Sequence, residues 1–154
     1  MMHDFDLTKT VFDSRQIMEM IPHRPPALLV DRVIEIDNAH AVGVKTLEAG
    51  MSYFNGHFPD KPVFPGALQI EAMAQVAAIL CVHVKDEAAS YSTILVRADE
   101  ARFRREVVPG DTMVMNADLV ERMPRDLYVL KCKLFVNNEL ASEIKIVAKV
   151  SKKV

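Results

Sequence analysis

His57 and Glu71 are the two residues whose types and placing suit proton transfer. His57 lies between Gly56 and Phe58 in a proline-rich loop, and an imidazole titrates near neutral pH. Glu71 lies in a stretch where 14 of the 18 residues 67–84 are apolar. A carboxylate in such surroundings needs a partner or takes up a proton. A structural hydrogen-bonding role and a functional acid both meet that condition, and perturbed acids cluster at functional sites. A lone loop histidine is ordinarily just solvated. Together, an imidazole on a stiff loop and a carboxylate on a helix form an acid–base pair. Gly66 adds a third part at the start of the apolar stretch. Helix N–H groups there lack partners and the dipole is positive. Glycine lets a ligand carbonyl approach that backbone, as an oxyanion site requires. Pro65-Gly66 is equally an ordinary helix-entry turn.

The elements that hold these residues follow from periodicity. Asp13 or Ser14 can cap a short helix that Pro22 stops. Residues 21–26 are stiffened by Pro22, Pro25 and Pro26. Residues 27–36 read as a strand, Asp37-Asn38 as a turn and residues 40–46 as a second strand. Residues 51–65 form a loop. Residues 67–84 then form a helix so apolar that it should be buried on all sides. Residues 93–103 read as a strand. The stretches 112–121, 128–136 and 144–150 alternate apolar and polar, with Asn137-Asn138 as a hairpin turn. Such strands in series predict an antiparallel sheet with one wet face. The layout is α+β: one long central helix and about six strands in a single domain over residues 1–154, with a short N-terminal helical arm. A sheet curling round the helix and a flatter α+β sandwich both satisfy this pattern.

Composition narrows the function class. Half of the 154 residues are apolar, which excludes global disorder. The net charge of −2 gives no global signal for nucleic acid or a membrane surface. Residues 67–84 are interrupted by Gln69, Glu71, Gln75 and His83, so no membrane insertion is expected. The first 20 residues carry acids and no continuous apolar run, unlike a secretory signal. Cys81 and Cys132 are far apart in sequence and in no CxxC pair, so two buried thiols in a reducing compartment are expected. His3, His40 and His83 show no evident partner in sequence.

The motif Gly56-His57-Phe58-Pro59-x-x-Pro62-x-x-Pro65-Gly66-x-x-x-x-Glu71-Ala72-Met73-Ala74-Gln75 resembles the signature of the (3R)-hydroxyacyl-acyl-carrier-protein dehydratases of FabZ type. Ile21-Pro22-His23-Arg24, Leu28 to Val33, Ala101 to Arg105 and Val107 to Asp111 fit the same family. The resemblance implies a hot-dog fold, a curved antiparallel sheet wrapped round one long helix. It implies a homodimer with His57 of one subunit facing Glu71 of the other, commonly three such dimers together. It implies a cytoplasmic enzyme of fatty-acid biosynthesis that removes water from a 3-hydroxyacyl thioester to give the trans-2-enoyl thioester. His57 is then the base, Glu71 the acid and the Gly66 N–H the carbonyl donor, with no cofactor and no metal. Glu71 stands where the related isomerising family carries Asp, which favours simple dehydration.

The chain departs from the family pattern at Pro25 and Ala27, where Tyr and Phe are usual, at Ala67 in place of Val, and at Glu106 in place of Pro. Pro25, Ala27, Phe58, Phe64 and Ala67 are candidate acyl-tunnel residues, and a wider or longer chain preference is expected. The acyl carrier protein is acidic, so Arg102, Arg104 and Arg105 are candidate docking residues; a solvated, charge-protected edge strand is the alternative. His23 and Arg24 are assigned a structural turn. A hot-dog thioesterase and a non-catalytic acyl-binding module are the competing readings; the first generally lacks the His57/Glu71 spacing, and the second has no use for it.

Overall fold

A computed structural model describes residues 4–154; His3 therefore lies outside the described residues. The element order is α1 (Ser14–Met20), β1 (Arg32–Ile36), β2 (His40–Thr46), α2 (Gly66–His83), β3 (Tyr91–Phe103), β4 (Thr112–Met123), β5 (Leu127–Val136) and β6 (Glu139–Lys152). The six strands form one sheet in the order β1-β2-β4-β5-β6-β3, antiparallel throughout. α2 packs against β2, β3, β4, β5 and β6. This is the hot-dog arrangement that the family resemblance implies, and of the two layouts the periodicity allowed it is the sheet curling round the helix.

Local chemistry explains most boundaries. Asp13 caps α1 by accepting from the Gln16 N–H at 2.9 Å, and the Gln16 side chain accepts from the Asp13 N–H at 2.9 Å. This reciprocal pair satisfies two N–H groups that the helix itself leaves unpaired. Asn137 and Asn138 take φ of 50° and 62° between β5 and β6. Both values are left-handed, as a tight turn matching the twist of the strands needs, and Asn tolerates them. β2 carries Gly43 directly against Val76 of α2. A Cβ there would lie 2.6 Å from Val76 Cγ2 and 3.1 Å from Val30 Cγ1. The absent side chain is what lets the helix seat against β2. The core between helix and sheet includes Val76, Ile79 and Leu80 with Met113, Met115, Leu130, Leu134 and Ile146.

Three expectations need correction. The strand expected over 27–36 begins only at Arg32. Leu29 gives its N–H to the Gln75 side chain at 2.7 Å, and Leu28 and Ala27 close a turn onto the Arg24 carbonyl. The outer face of the sheet is wet only in part: Lys131, Lys133 and Lys149 are exposed there, but the other end is apolar. Ile34, Val42, Val44, Val114 and Phe135 form a second apolar cluster on the outer side, and Phe5 of the N-terminal arm packs on it with its ring 5.5 Å from that of Phe135. Finally, α2 is not covered on every side. Ala67 is exposed, and Leu68, Ile70, Glu71 and Ala74 are only partly buried.

α2 is long and apolar enough to cross a membrane by length and composition. Within the chain, however, 61% of it is buried, as in the core helix of a folded domain. Cys81 and Cys132 are free and buried. Burial pushes the Cys81 thiol up to about 12 and that of Cys132 higher still. Both thiols are therefore inert at neutral pH.

Candidate active site

The loop that carries His57 is a small clasp. Phe58 and Lys61 exchange backbone hydrogen bonds at 3.0 and 3.1 Å, and the Val63 N–H donates to the His57 carbonyl at 2.9 Å. Phe64 donates to the Val107 carbonyl at 2.7 Å and is fully buried, which ties the loop to the core. The His57–Phe58 peptide is cis, and the two rings stack with centroids 4.1 Å apart.

His57 Nδ1 lies 2.8 Å from the Val63 carbonyl oxygen. A carbonyl only accepts, so Nδ1 carries the proton and donates it. The neutral ring therefore keeps its lone pair on Nε2, the state a general base needs. His57 lines a cavity of about 420 Å³ together with Phe64, Gly66, Gln69 and Phe103. Arg104, Arg105 and Glu106 also line it, adding charged side chains beside the apolar ones.

Gly66 opens α2 in this cavity. The N–H groups of Leu68 and Gln69 both reach the Pro65 carbonyl at 3.0 Å, whereas those of Gly66 and Ala67 have no partner among the described residues. A Cβ at Gly66 would lie 2.9 Å from the Phe103 ring. Glycine here lets the half-exposed ring lie close, and any side chain would have to displace it. It leaves a bare N–H at the positive end of the helix.

Glu71 faces elsewhere. It lines a cavity of about 400 Å³ with Ala27, Ala67 and Leu68, and a smaller one of about 160 Å³ with His23, Gln75 and Thr93. Its side chain is 43% exposed, so the expectation of an acid sunk in apolar surroundings is corrected. The reason is that it stands on the uncovered side of α2. Its Oε1 accepts from Gln75 Nε2 at 2.9 Å and lies 3.4 Å from His23 Nε2.

No hydrogen bond or ion pair joins His57 to Glu71 among the described residues. Helix geometry explains the separation. At 3.6 residues per turn, Gly66 and Gln69 fall on one side of α2, and Ala67, Leu68 and Glu71 fall on the opposite side. One chain therefore places His57 with the bare N–H and turns Glu71 away from both.

The other site expectations divide. Phe64 lines the His57 cavity, while Phe58 is 53% exposed and stacks on His57 instead. Ala27 and Ala67 line the Glu71 cavity, and Pro25 lines an adjoining cavity of about 360 Å³. Of the candidate docking arginines, Arg104 pairs with Glu143 at 2.9 Å and Arg105 with Glu139 at 3.2 Å, which neutralises two of the three. Arg102 faces Glu143 across the β3–β6 ladder.

Sequence reasoning missed two residues. His23, read as part of a turn, stands beside the Glu71 carboxylate. Gln75 joins Glu71 to the chain before β1: it accepts from Leu29 and donates to the Ala27 carbonyl at 2.8 Å. The signal for Gln75 was present, since it is an amide one turn after an acid on an apolar helix. No local signal reports the contact of residue 23 with residue 71. His40 and His83 are also not unpartnered. His40 lies 3.2 Å from Glu35 and 3.0 Å from Asp37, and His83 packs edge-on to Phe12.

Residues 21–145 match the FabA-like domain family. A 3-hydroxyacyl-[acyl-carrier-protein] dehydratase FabZ from Rickettsia akari is 40% identical over 144 residues, covering 93% of this chain and 99% of that protein. The chain belongs to the FabZ-type dehydratase family. A FabZ from Variovorax paradoxus is 41% identical over 140 residues, covering 89% of this chain and 93% of that one. A bifunctional enzyme LpxC/FabZ from Porphyromonas gingivalis is 41% identical over 140 residues, and there the chain spans only 30% of the relative's length. Among solved structures, a subunit of the dehydratase heterocomplex ApeI:P from Xenorhabdus doucetiae aligns with a TM-score of 0.70 at 16% identity, covering 89% of this chain and 91% of that one. A thioesterase from Haemophilus influenzae aligns at 0.67 and 12% identity, covering 94% of both chains. These two likenesses show the hot-dog fold, which serves both dehydratases and thioesterases.

Proposed function

We propose that this FabZ-type chain dehydrates (3R)-hydroxyacyl-acyl carrier protein to the trans-2-enoyl thioester, in fatty-acid biosynthesis in the cytoplasm. The observation that carries this reading is the His57 imidazole, held by Val63 with its lone pair on Nε2. It lines one cavity with the helix start at Gly66. His57 Nε2 takes the proton from the carbon next to the thioester carbonyl. The Gly66 N–H stabilises the charge that develops on the carbonyl oxygen. The hydroxyl on the next carbon leaves with the proton of Glu71, forming water and the conjugated double bond. His57 then holds one proton and Glu71 has lost one, so returning that proton resets the site and the chemistry needs no cofactor or metal. General base catalysis contributes on the order of 10²–10⁴-fold. One oxyanion donor contributes about 10²–10³-fold.

The site is composite in this reading. Glu71 faces away from its own His57, so the acid comes from a second copy of the chain. The β3 edge supports such an assembly. Ile94, Leu95, Val96 and Phe103 are 63%, 42%, 56% and 50% exposed on a strand with one unpaired edge. Pairing that edge with itself across a two-fold axis covers these side chains and completes the backbone hydrogen bonds. Three such dimers then form the larger assembly. Residues 1–154 act as one domain, with the N-terminal segment as an arm on the sheet. Carrier docking falls chiefly to Arg102, since Arg104 and Arg105 are already paired.

The test follows the enoyl thioester by its conjugated absorbance. The wild type interconverts 3-hydroxyacyl and 2-enoyl thioesters, and His57→Ala and Glu71→Gln each lose at least 10²-fold while remaining folded. Thioester cleavage, or no turnover at all, overturns the reading in favour of a thioesterase or an acyl-binding module.

A further inference from the structure

We infer that His23 carries protons to Glu71, by way of water held in the small cavity that both residues share with Thr93. This rests on the dehydratase reading above and adds a residue to its proton path. His23 meets Glu71 rather than the reacting atoms, so it is a positioning residue that acts through the acid. The turn that carries it is held firmly. It follows α1, whose last carbonyls lack helical partners. Arg24 Nη1 donates to the Ile21 and His23 carbonyls at 3.0 and 2.8 Å, and Nη2 donates to the Met18 carbonyl at 2.9 Å. This clasp sets His23 Nε2 3.4 Å from Glu71 Oε1. Gln75 Nε2 donates to the same oxygen at 2.9 Å. Oε1 is thus the engaged oxygen, and Oε2 is left for the substrate.

The other side of the ring carries the argument. His23 Nδ1 is buried and has no partner among the described residues, and the same holds for the buried Thr93 hydroxyl oxygen. Both residues line the cavity of about 160 Å³ beside Glu71. Buried polar atoms are ordinarily paired. A ring kept only for its packing would not leave a nitrogen unpaired in the interior, since that costs free energy. Two such atoms on one cavity mark a hydration site, and at about 30 Å³ each several waters fit it. The rest of the wall does not compete for them. The Gln75 amide is already spent on Leu29, Ala27 and Glu71, and Ala74, Ala78 and Leu95 are apolar.

An imidazole suits this place because either nitrogen can hold the proton. Each turnover leaves Glu71 without its proton and His57 with one more. His57 releases its proton to solvent. A solvent proton arriving through the cavity water bonds to His23 Nδ1, while the Nε2–H bond breaks and its proton bonds to Glu71 Oε1. The ring starts and ends neutral, and exchange with water restores its first tautomer. The side chains of His23 and Glu71 are 28% and 43% exposed, so the cavity is not sealed and its water exchanges protons with the bulk.

The test follows enoyl thioester formation twice, in a single turnover with enzyme in excess and in the steady state. His23→Gln keeps an N–H donor toward Glu71 but cannot pass a proton. Glu71 is charged before the first turnover, so the single-turnover rate stays within about twofold of wild type. Steady-state kcat falls by about 10²-fold, the low end of what one proton-transfer group supplies. Thr93→Val removes a hydroxyl that does not bond Glu71 and shows the same split by a smaller factor, whereas Thr93→Ser keeps the hydroxyl and the rate. The Thr93 pair serves where His23→Gln does not fold. A steady-state kcat within about twofold of wild type in the folded variants overturns the inference. So does a single-turnover rate that falls as far as kcat, because His23 would then only shape the acid. Absence of wild-type turnover sinks the dehydratase reading itself, so the two failures are distinct.

Discussion

Replacing Gln75 by Leu separates what holds the acid from what holds the fold. Gln75 is 1% exposed, and its amide makes three hydrogen bonds. Its oxygen accepts from Leu29 at 2.7 Å, and its nitrogen donates to Ala27 at 2.8 Å and to Glu71 at 2.9 Å. Leucine is of similar size, so no large cavity opens. The Leu29 N–H belongs to a residue 2% exposed and loses its acceptor, which costs about 1–3 kcal/mol. Ala27 is exposed and the Glu71 side chain is 43% exposed, so water replaces those two bonds and each costs about 0.5 kcal/mol. The expected total is about 2–4 kcal/mol, read as a shift of the urea midpoint with unchanged m. Glu71→Gln alone leaves the Leu29 and Ala27 bonds intact and stays within about 1 kcal/mol of wild type. A Gln75→Leu protein within 0.5 kcal/mol of wild type would refute the reasoning, because the Leu29 N–H would then have found another partner.

Three further substitutions probe the scaffold. Gly43→Ala puts a methyl 2.6 Å from Val76 Cγ2 and is expected to destabilise by about 1–3 kcal/mol in chemical denaturation, with Val76→Ala in the same chain relieving part of the loss. Asp13→Ala removes the α1 cap and costs about 1 kcal/mol, whereas Asp13→Ser restores most of it in the same assay. Burial opposes charging of His40, but Glu35 and Asp37 outweigh it and raise its pKa above the ordinary 6.5. A raised folded-state value means that the His40 contribution is fully present below about pH 6.5 and is lost as pH rises through the folded value. The ring is a third exposed, so the effect stays under about 1 kcal/mol. The Tm deficit of His40→Asn should be larger at pH 5.5 than at pH 8.5, and an equal deficit at both would show that the two carboxylates do not act on the ring.

The sequence made β2 legible to the residue, because His40 to Thr46 follows directly on the Asp37-Asn38 turn signal. Asn137-Asn138 was readable as a hairpin because the turn chemistry is local. What stayed hidden was long-range. Leu28 to Val30 looks like strand, yet the Leu29 N–H goes to an amide 46 residues later. Val114 and Phe135 fall on the face that alternation assigns to solvent, and they are buried there in a cluster with Ile34, Val42 and Val44 on which Phe5 packs. His57, Gly66 and Glu71 stand out as candidates by residue type and spacing, and the motif they belong to is that of the family. The facing of Glu71 away from Gly66 follows from helix phase and can be drawn from the numbering alone, but the placing of His57 on the Gly66 side cannot. The approach of His23 to Glu71 could not, since nothing near either residue encodes it.

The central claim is that His57 and Glu71 from two copies of the chain complete one dehydration site. Mixing subunits tests it most directly. His57→Ala and Glu71→Gln are co-expressed with different tags, the mixed dimers are purified, and enoyl thioester turnover is measured per chain. In a two-fold dimer each mixed molecule carries one site with both residues intact and one with neither. The expected activity is about half of wild type per chain, against a loss of at least 10²-fold in each parent. Mixed dimers no more active than either parent would contradict the shared site.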